Sequence, residues 1–276
     1  MGRNTKLDDR VVGWDLADWK SAEELDELFA DIQVVIHAGA AVHNSRSIDE
    51  SCIFDTNVRA CFILGRWAIS RGVPIVHISS STVYANIGTS GLNEDGPLGW
   101  SGLGGFYGLS KLLAEDVYIR LREQGLKLAV VRPSSLYGFG LPAAKMVSSF
   151  LAIARDGGMI ELTPPVEDRF DFIHAADVAY AIVAILKKES WNTFNIASGS
   201  TISLQELAEI CISLTGRGSI SLKKATIQTR DAITRFSLNI DKAKCHLDWE
   251  PKISIKEGLE LMMQESLYPN HFNNSH

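Results

Sequence analysis

Ile75-Val-His-Ile-Ser-Ser-Ser81 is a β-branched apolar run that breaks into three hydroxyls, and its reading decides the fold. Gly72-Val-Pro just before it stops a helix, so the run begins as a strand. An unbroken apolar strand is buried on both faces, which is the signature of a parallel sheet. Open α/β sheets take their ligands in the crevice beyond the strand C-termini, so the three serines mark a candidate site.

Working outward from this strand, the same alternation recurs. Upstream, Cys52, Phe54, Val58, Phe62, Ile63, Trp67 and Ile69 give a long helix over 51–70. Before that, Gln33-Val-Val-Ile-His-Ala-Gly-Ala-Ala41 reads as a buried strand whose small C-terminal residues admit a flat ligand. Ser21 caps a helix with an acidic first turn, and Arg10 to Asp18 reads as a short strand ending in a turn. Downstream, a Gly/Pro-rich loop from Asn86 to Gly105 leads into a helix. Lys127-Leu-Ala-Val-Val-Arg-Pro-Ser-Ser-Leu-Tyr137 follows as another strand. Strands alternating with helices predict βαβ units and a doubly wound parallel sheet.

The helix after the loop carries chemistry. Tyr107 and Lys111 in Phe-Tyr-Gly-Leu-Ser-Lys-Leu-Leu-Ala-Glu-Asp, 106–116, stand four apart and share one helix face. An ammonium beside a phenol favours the phenolate, which equips the tyrosine to exchange a proton with an alcohol or carbonyl. The spacing alone is a weak pattern. An exposed tyrosine and a solvated lysine share it.

Beyond Gly140 the texture changes. Helices over 145–155, 203–215 and 254–265 predict a smaller lobe, with a helix over 176–186 and a late strand at 193–197 returning to the sheet. The expected division is 1–140 plus 171–197 for a dinucleotide-binding domain, and 141–170 plus 198–276 for a substrate lobe.

With 276 residues, 46% of them hydrophobic, the chain can bury a full core. A net charge of −6 without a basic run argues against nucleic acid and anionic membranes as partners. Cys52, Cys61, Cys211 and Cys245 show no close pairing, and no apolar leader or span is visible, so a reducing cytoplasm is expected. His37, His77 and His174 read as satisfied core residues, no metal site is expected, and the six tryptophans read as packing.

Several segments fall into one order: Gly13–Asp18, Val35-Ile-His-Ala-Gly-Ala40, Asn57-Val58, Ser79–Tyr84, Tyr107–Lys111, Arg132–Gly138, Asp171–Ala179, Asp241–Lys244 and Leu247–Pro251. In that order they resemble the extended short-chain dehydrogenase/reductase family, the NAD-dependent epimerase/dehydratase group, over nearly the whole chain. The resemblance implies a Rossmann-like fold, a homodimer, and NAD or NADP as cofactor. It implies Ser80, Tyr107 and Lys111 as catalytic residues, with Lys111 lowering the tyrosine's pKa and holding the nicotinamide ribose. Cofactor contacts would come from Asp15, Leu16, Ala38, Gly39, Ala40, Asn57, Tyr107, Lys111, Pro133 and Leu136. Substrate contacts would come from Ser81, Thr82, Ser135 and Arg235, with Arg230 an alternative phosphate ligand.

The beginning departs from the family, since no glycine-rich turn precedes Gly2-Arg-Asn-Thr-Lys-Leu. The chain is expected to start about 30 residues late, without the first βα unit, through a clipped reading of the gene or as a natural truncated relative. Arg3 sits where the family often meets a 2′-phosphate. Without a first strand, Val34 to His37 would present an unpaired edge and dinucleotide binding would be poor.

Ser135 stands where nucleotide-sugar epimerases commonly carry asparagine, Phe170 separates Arg169 from Asp171, and Ser81-Thr82 replaces the acidic pair of the dehydratases. Three functions stay open: a sugar-nucleotide epimerase or reductase, a reductase of a non-sugar carbonyl, and a catalytically silent binding module. The substrate in the first two is a small molecule.

Overall fold

The structure is a computed structural model that describes residues 14–18, 20–42, 50–85, 88–101, 104–141, 145–223 and 235–265. In chain order the first elements are α1 (Ala22–Leu28), β1 (Val35–His37), α2 (Glu50–Phe54), a π-helical turn (Asp55–Arg59) and α3 (Ala60–Arg71). They are followed by β2 (Ile75–Ile78), a 3₁₀ turn (Ser81–Val83), α4 (Gly105–Glu123) and β3 (Leu128–Pro133). Then come β4 (Ser135–Tyr137), α5 (Met146–Arg155), β5 (Met159–Leu162), β6 (Arg169–Phe170), β7 (Phe172–His174) and α6 (Ala175–Lys188). The chain continues through β8 (Thr193–Ile196), β9 (Ile202–Ser203), α7 (Leu204–Thr215), β10 (Ser219–Leu222), β11 (Arg235–Phe236), α8 (Asp241–Leu247) and α9 (Ile255–Glu265).

Local chemistry sets the boundaries. Ser21 and Glu24 close a capping box on α1, and Ser203 and Glu206 close one on α7. Gly72, at φ 66°, ends α3 in the left-handed conformation that a side chain resists. The helix expected as one piece over 51–70 is interrupted by the π-helical turn, and an inserted residue of this kind leaves the apolar spacing on either side intact.

The chain forms two compact units: residues 1–86, 94–133 and 182–195, and residues 87–93, 134–181 and 196–276. The first is built on a sheet of order β1-β2-β3-β8. β1 pairs with β2 and β2 with β3 in parallel, with His37 opposite His77 and His77 opposite Val130. All six residues of β3 are buried, as a central parallel strand requires. Leu64, Trp67 and Ala68 of α3 and Ala114, Tyr118 and Leu121 of α4 join Ile75, Leu128 and Val130 in one core cluster. Among the described residues β1 ends the sheet order, and its Ile36 is 39% exposed.

The second unit holds short sheets, β10-β5, β11-β6-β9 and β4-β7. Its core gathers Tyr137, Val147, Leu151, Ile160, Leu207 and Leu259. The strand expected over 127–137 divides at Ser134, where the backbone leaves β3 and re-pairs as β4 with β7. The contacts therefore divide the chain at 133 and return at 182, against the expected 140 and 171. Residues 10–13 of the first expected strand, and Arg3, Trp19 and Arg230, lie outside the described residues.

Candidate active site

Ser80 lies two residues past the end of β2, where it caps the 3₁₀ turn with an extended backbone. Its Oγ accepts from the Thr82 amide at 3.2 Å and from the Thr82 hydroxyl at 2.9 Å. A serine oxygen has two lone pairs and one proton. Both acceptor positions of Ser80 are thus used by Thr82, and the Ser80 hydroxyl pulls the Tyr107 phenol down against the effect of its burial.

Tyr107 and Lys111 both sit on α4, one turn apart. Lys111 is 3% exposed, and its Nζ donates to the Ile78 carbonyl at 2.6 Å, at the last residue of β2. Burial brings the ammonium down to about 8 from an ordinary value of 10.5, against the pull of Glu115. The phenol is raised, not lowered: its burial outweighs the Ser80 hydrogen bond. The helix spacing thus puts the two residues on one face as expected, while the lysine turns its charge onto the strand backbone.

A second layer of contacts fixes this arrangement. Asn57, in the π-helical turn, accepts from the Ala41 amide at 2.7 Å, donates to the Ala41 carbonyl at 2.9 Å and donates to Ser110 Oγ at 2.8 Å. Ser110 Oγ in turn donates to the Tyr107 carbonyl at 2.8 Å. Both amide protons of Asn57 are therefore used inside the protein. These bonds tie the loop after β1 to the first turn of α4. Extra helical residues of this kind recur at functional sites.

Glu115, fully buried on α4, accepts from Ser79 Oγ at 2.5 Å and forms an ion pair with Arg132 of β3. Arg132 also donates to the Tyr84 hydroxyl and the Glu94 carbonyl, each at 2.9 Å, and Tyr84 donates to Asn195 at 2.7 Å. This network holds the end of β2 against α4, one residue from Ser80. Neither Glu115 nor Arg132 was expected at the site. Their signal was present as charges in otherwise apolar stretches, Glu115 two helical turns past Tyr107.

The remaining expected residues fall as follows. Asp15 and Leu16 lie in a turn closed by Asp18 on the Asp15 carbonyl at 2.8 Å. A Cβ on Gly39 would come within 2.7 Å of Leu16 Cδ1, so the Leu16 side chain packs closely on the loop after β1. Ala38 and Gly39 are exposed, Ala40 is half-buried, and Pro133 is buried at the end of β3. Ser81 is buried, and the hydroxyl of Thr82 is used on Ser80.

In the second unit, Ser135 is half-buried, while Leu136 and Arg235 are exposed. Arg169 is committed to its own unit: it donates to the Thr201 carbonyl at 2.7 Å and pairs with Glu206 at 2.9 Å.

For a dinucleotide, the nicotinamide end is the part this geometry tests. The buried Lys111 ammonium, the Ser80–Tyr107 pair and the bare backbone at Gly39 fit that group. Residues 1–13 lie outside the described part.

Residues 2–197 match the NAD dependent epimerase/dehydratase family. This chain belongs to that family. It is an enzyme of the extended short-chain dehydrogenase/reductase type, and NAD(P) is the family's cofactor. Among its relatives is the dTDP-4-dehydro-6-deoxyglucose reductase of Escherichia coli, 28% identical over 257 residues, or 88% of this chain and 78% of that protein. A putative UDP-glucose 4-epimerase of Methanocaldococcus jannaschii is 29% identical over 251 residues, 86% of this chain and 79% of that protein. UDP-glucuronic acid decarboxylase 6 of Arabidopsis thaliana is 24% identical over 197 residues, and that stretch is 54% of the plant protein. The fold is also that of the dTDP-glucose 4,6-dehydratase from Bacillus anthracis, solved with NAD, at a TM-score of 0.79 over 95% of this chain, 80% of that one and 23% identity. Among the described residues no helix is long and apolar enough to cross a membrane.

Proposed function

We propose that this family member acts on a nucleotide sugar, as an epimerase or a reductase, with Tyr107 as the group that moves the proton. The observation that supports this reading is the Ser80 hydroxyl, an acceptor twice over from Thr82, acting on the buried Tyr107 phenol one helical turn from the buried Lys111 ammonium.

The roles follow from the chemistry of each group. Tyr107 Oη gives a proton to, or takes one from, the oxygen of the reacting sugar carbon. With substrate bound, the Ser80 proton turns from the Tyr107 phenol to that oxygen as its charge grows, in a setting where a fixed donor is worth more than water. Lys111, with a pKa brought near 8 by burial, holds the backbone at Ile78 and supplies the ammonium for the ribose of a bound dinucleotide. The nicotinamide supplies the hydride chemistry when bound. Asn57, Glu115 and Arg132 keep β2, the loop after β1 and α4 in register, so the three reactive groups stay placed without reorganisation.

The nucleotide-sugar reading is supported by the dTDP- and UDP-sugar names of the relatives. A reductase of a non-sugar carbonyl is the second reading, favoured by Arg169, which is bound to Thr201 and Glu206 and not available to a diphosphate. We place the protein in the cytoplasm as a homodimer, in keeping with its charge balance and its family. A panel of UDP-, GDP- and dTDP-sugars against simple ketones, followed by nicotinamide absorbance and product configuration, separates the two readings. Turnover of ketones alone overturns the first.

A further inference from the structure

Behind Lys111, on the face of the sheet covered by α3 and α4, lies a cluster that the proposed reaction does not use. His37 and His77 stand opposite each other on the parallel pair β1–β2, with ring centroids 5.4 Å apart. Cys61 of α3 lies over them, its Sγ 3.8 Å from His37 Nδ1. One ligand atom from each of the three lies within 4.8 Å of the others, and all three residues are buried. Zinc or copper bonds of about 2.0–2.3 Å to nitrogen and sulfur set ligand atoms roughly 3.5 Å apart, so the three side chains must draw in from the 4.8 Å they span to close on an ion.

Cys61 Sγ donates to the Asn57 carbonyl at 2.9 Å, a bond that metal binding would replace, whereas the histidines have atoms to spare. Both ring nitrogens of His77 and Nε2 of His37 have no hydrogen-bond partner among the described residues. Each orphaned polar atom has given up its water without a partner in return. Position 77 sits among Ile75, Val76 and Ile78, where an aliphatic side chain would avoid that cost. This departs from the satisfied histidines expected from the sequence, and coordination is the role that uses an imidazole nitrogen without a hydrogen bond. The Tyr118 hydroxyl is 2.8 Å from His37 Nδ1 and its ring is 4.8 Å from that of His77, so it supplies the partner that fixes a ligating imidazole's orientation.

We propose that His37, His77 and Cys61 form a buried site for one thiophilic d10 cation, and that Cu(I) is its preferred occupant. Soft thiolate and imidazole ligands select Cu(I) and Zn(II). Charge decides between them: Cu(I) with one thiolate is neutral, whereas Zn(II) with one thiolate adds a positive charge to a dry site beside the Lys111 ammonium. On binding, the Cys61 S–H bond breaks, a sulfur–copper bond forms, the proton leaves to solvent, and no electron changes hands.

The test is an anaerobic titration of the full reduced chain with Cu(I) against bicinchoninate, with Zn(II) titrated separately. One equivalent of Cu(I) is expected to be withdrawn from the competitor, with Zn(II) held less tightly. Cys61→Ser and His77→Leu are expected to weaken Cu(I) binding by about 100-fold or more, while the Cys52→Ser/Cys245→Ser double variant, at the two exposed cysteines, retains it. X-ray absorption on the wild-type protein does not depend on how the variants fold, and is expected to show one sulfur and two imidazole nitrogens. Failure to compete, tighter Zn(II) binding, a sulfur-only shell, or binding that survives Cys61→Ser and is lost in the Cys52/Cys245 variant would overturn the proposal.

Discussion

Lys111 Nζ donates to the Ile78 carbonyl at 2.6 Å, joining the helix that carries Tyr107 to the strand that leads to Ser80. That strand ends at Ile78, two residues before Ser80, and the bond places a cation in the interior, where burial brings its pKa to about 8. Below pH 8 both folded and unfolded chains hold this proton, and the cost of burying the charge is complete. Between pH 8 and 10.5 the unfolded chain holds more of it than the folded one, so stability from this group rises with pH across that window. Urea unfolding at about pH 7.5 and about pH 9.5 is expected to show wild type gaining roughly 2 kcal/mol relative to Lys111→Met. A difference that stays flat or shrinks would contradict the buried ammonium.

Tyr107 is expected to ionise above its ordinary value of 10, because burial disfavours the phenolate more than Ser80 favours it. The ultraviolet difference titration of wild type minus Tyr107→Phe reads this group alone. Ser80→Ala removes a donor to the phenolate and is expected to move the midpoint further up. An unchanged midpoint would show that the serine proton is not directed to the phenol.

Glu115 and Arg132 are both nearly fully buried and ion-paired. Removing one partner strands the other, at a cost of about 3–5 kcal/mol. The unfolding free energy of Glu115→Ala from urea titration is expected to fall by that amount, with part of it recovered when Arg132→Met is added. A loss under about 1 kcal/mol would place the pair among weakly contributing surface bridges.

Gly258 lies in α9, where alanine would ordinarily favour the helix by about 1 kcal/mol. A Cβ there would come within 2.2 Å of Tyr137 Oη and 2.6 Å of its ring. Gly258→Ala is therefore expected to lower stability by about 1–3 kcal/mol, the cost of overpacking. A stabilised variant in thermal unfolding would show that the ring moves aside freely.

Much of the fold was legible in the sequence because it rests on short-range patterns. The run at Ile75–Ile78 became β2, and Ser203-Leu-Gln-Glu206 became the cap of α7, since hydrophobic period and capping chemistry are local. The π-helical turn at Asp55–Arg59 was not legible, because one added residue barely disturbs a helical period. The division at Ser134 escaped for a similar reason: the chain stays extended, and only its pairing partner changes. At the site, the spacing of Tyr107 and Lys111 was visible. The direction of the lysine was not, since the Ile78 carbonyl that receives it is 33 residues away. The His37–His77–Cys61 cluster was hidden likewise, because strand register, not sequence separation, brings it together.

The central claim is that Tyr107 moves the proton in a nicotinamide-dependent reaction of a nucleotide sugar. Its most direct test is steady-state turnover of UDP- and dTDP-sugars with NAD(P)(H) by wild type and by Tyr107→Phe, checked to be folded by circular dichroism. The predicted result is measurable wild-type turnover and a fall in kcat of about 10²–10⁴-fold in the variant. Wild-type kcat in Tyr107→Phe, or no turnover of any nucleotide sugar by the wild-type chain, would contradict it.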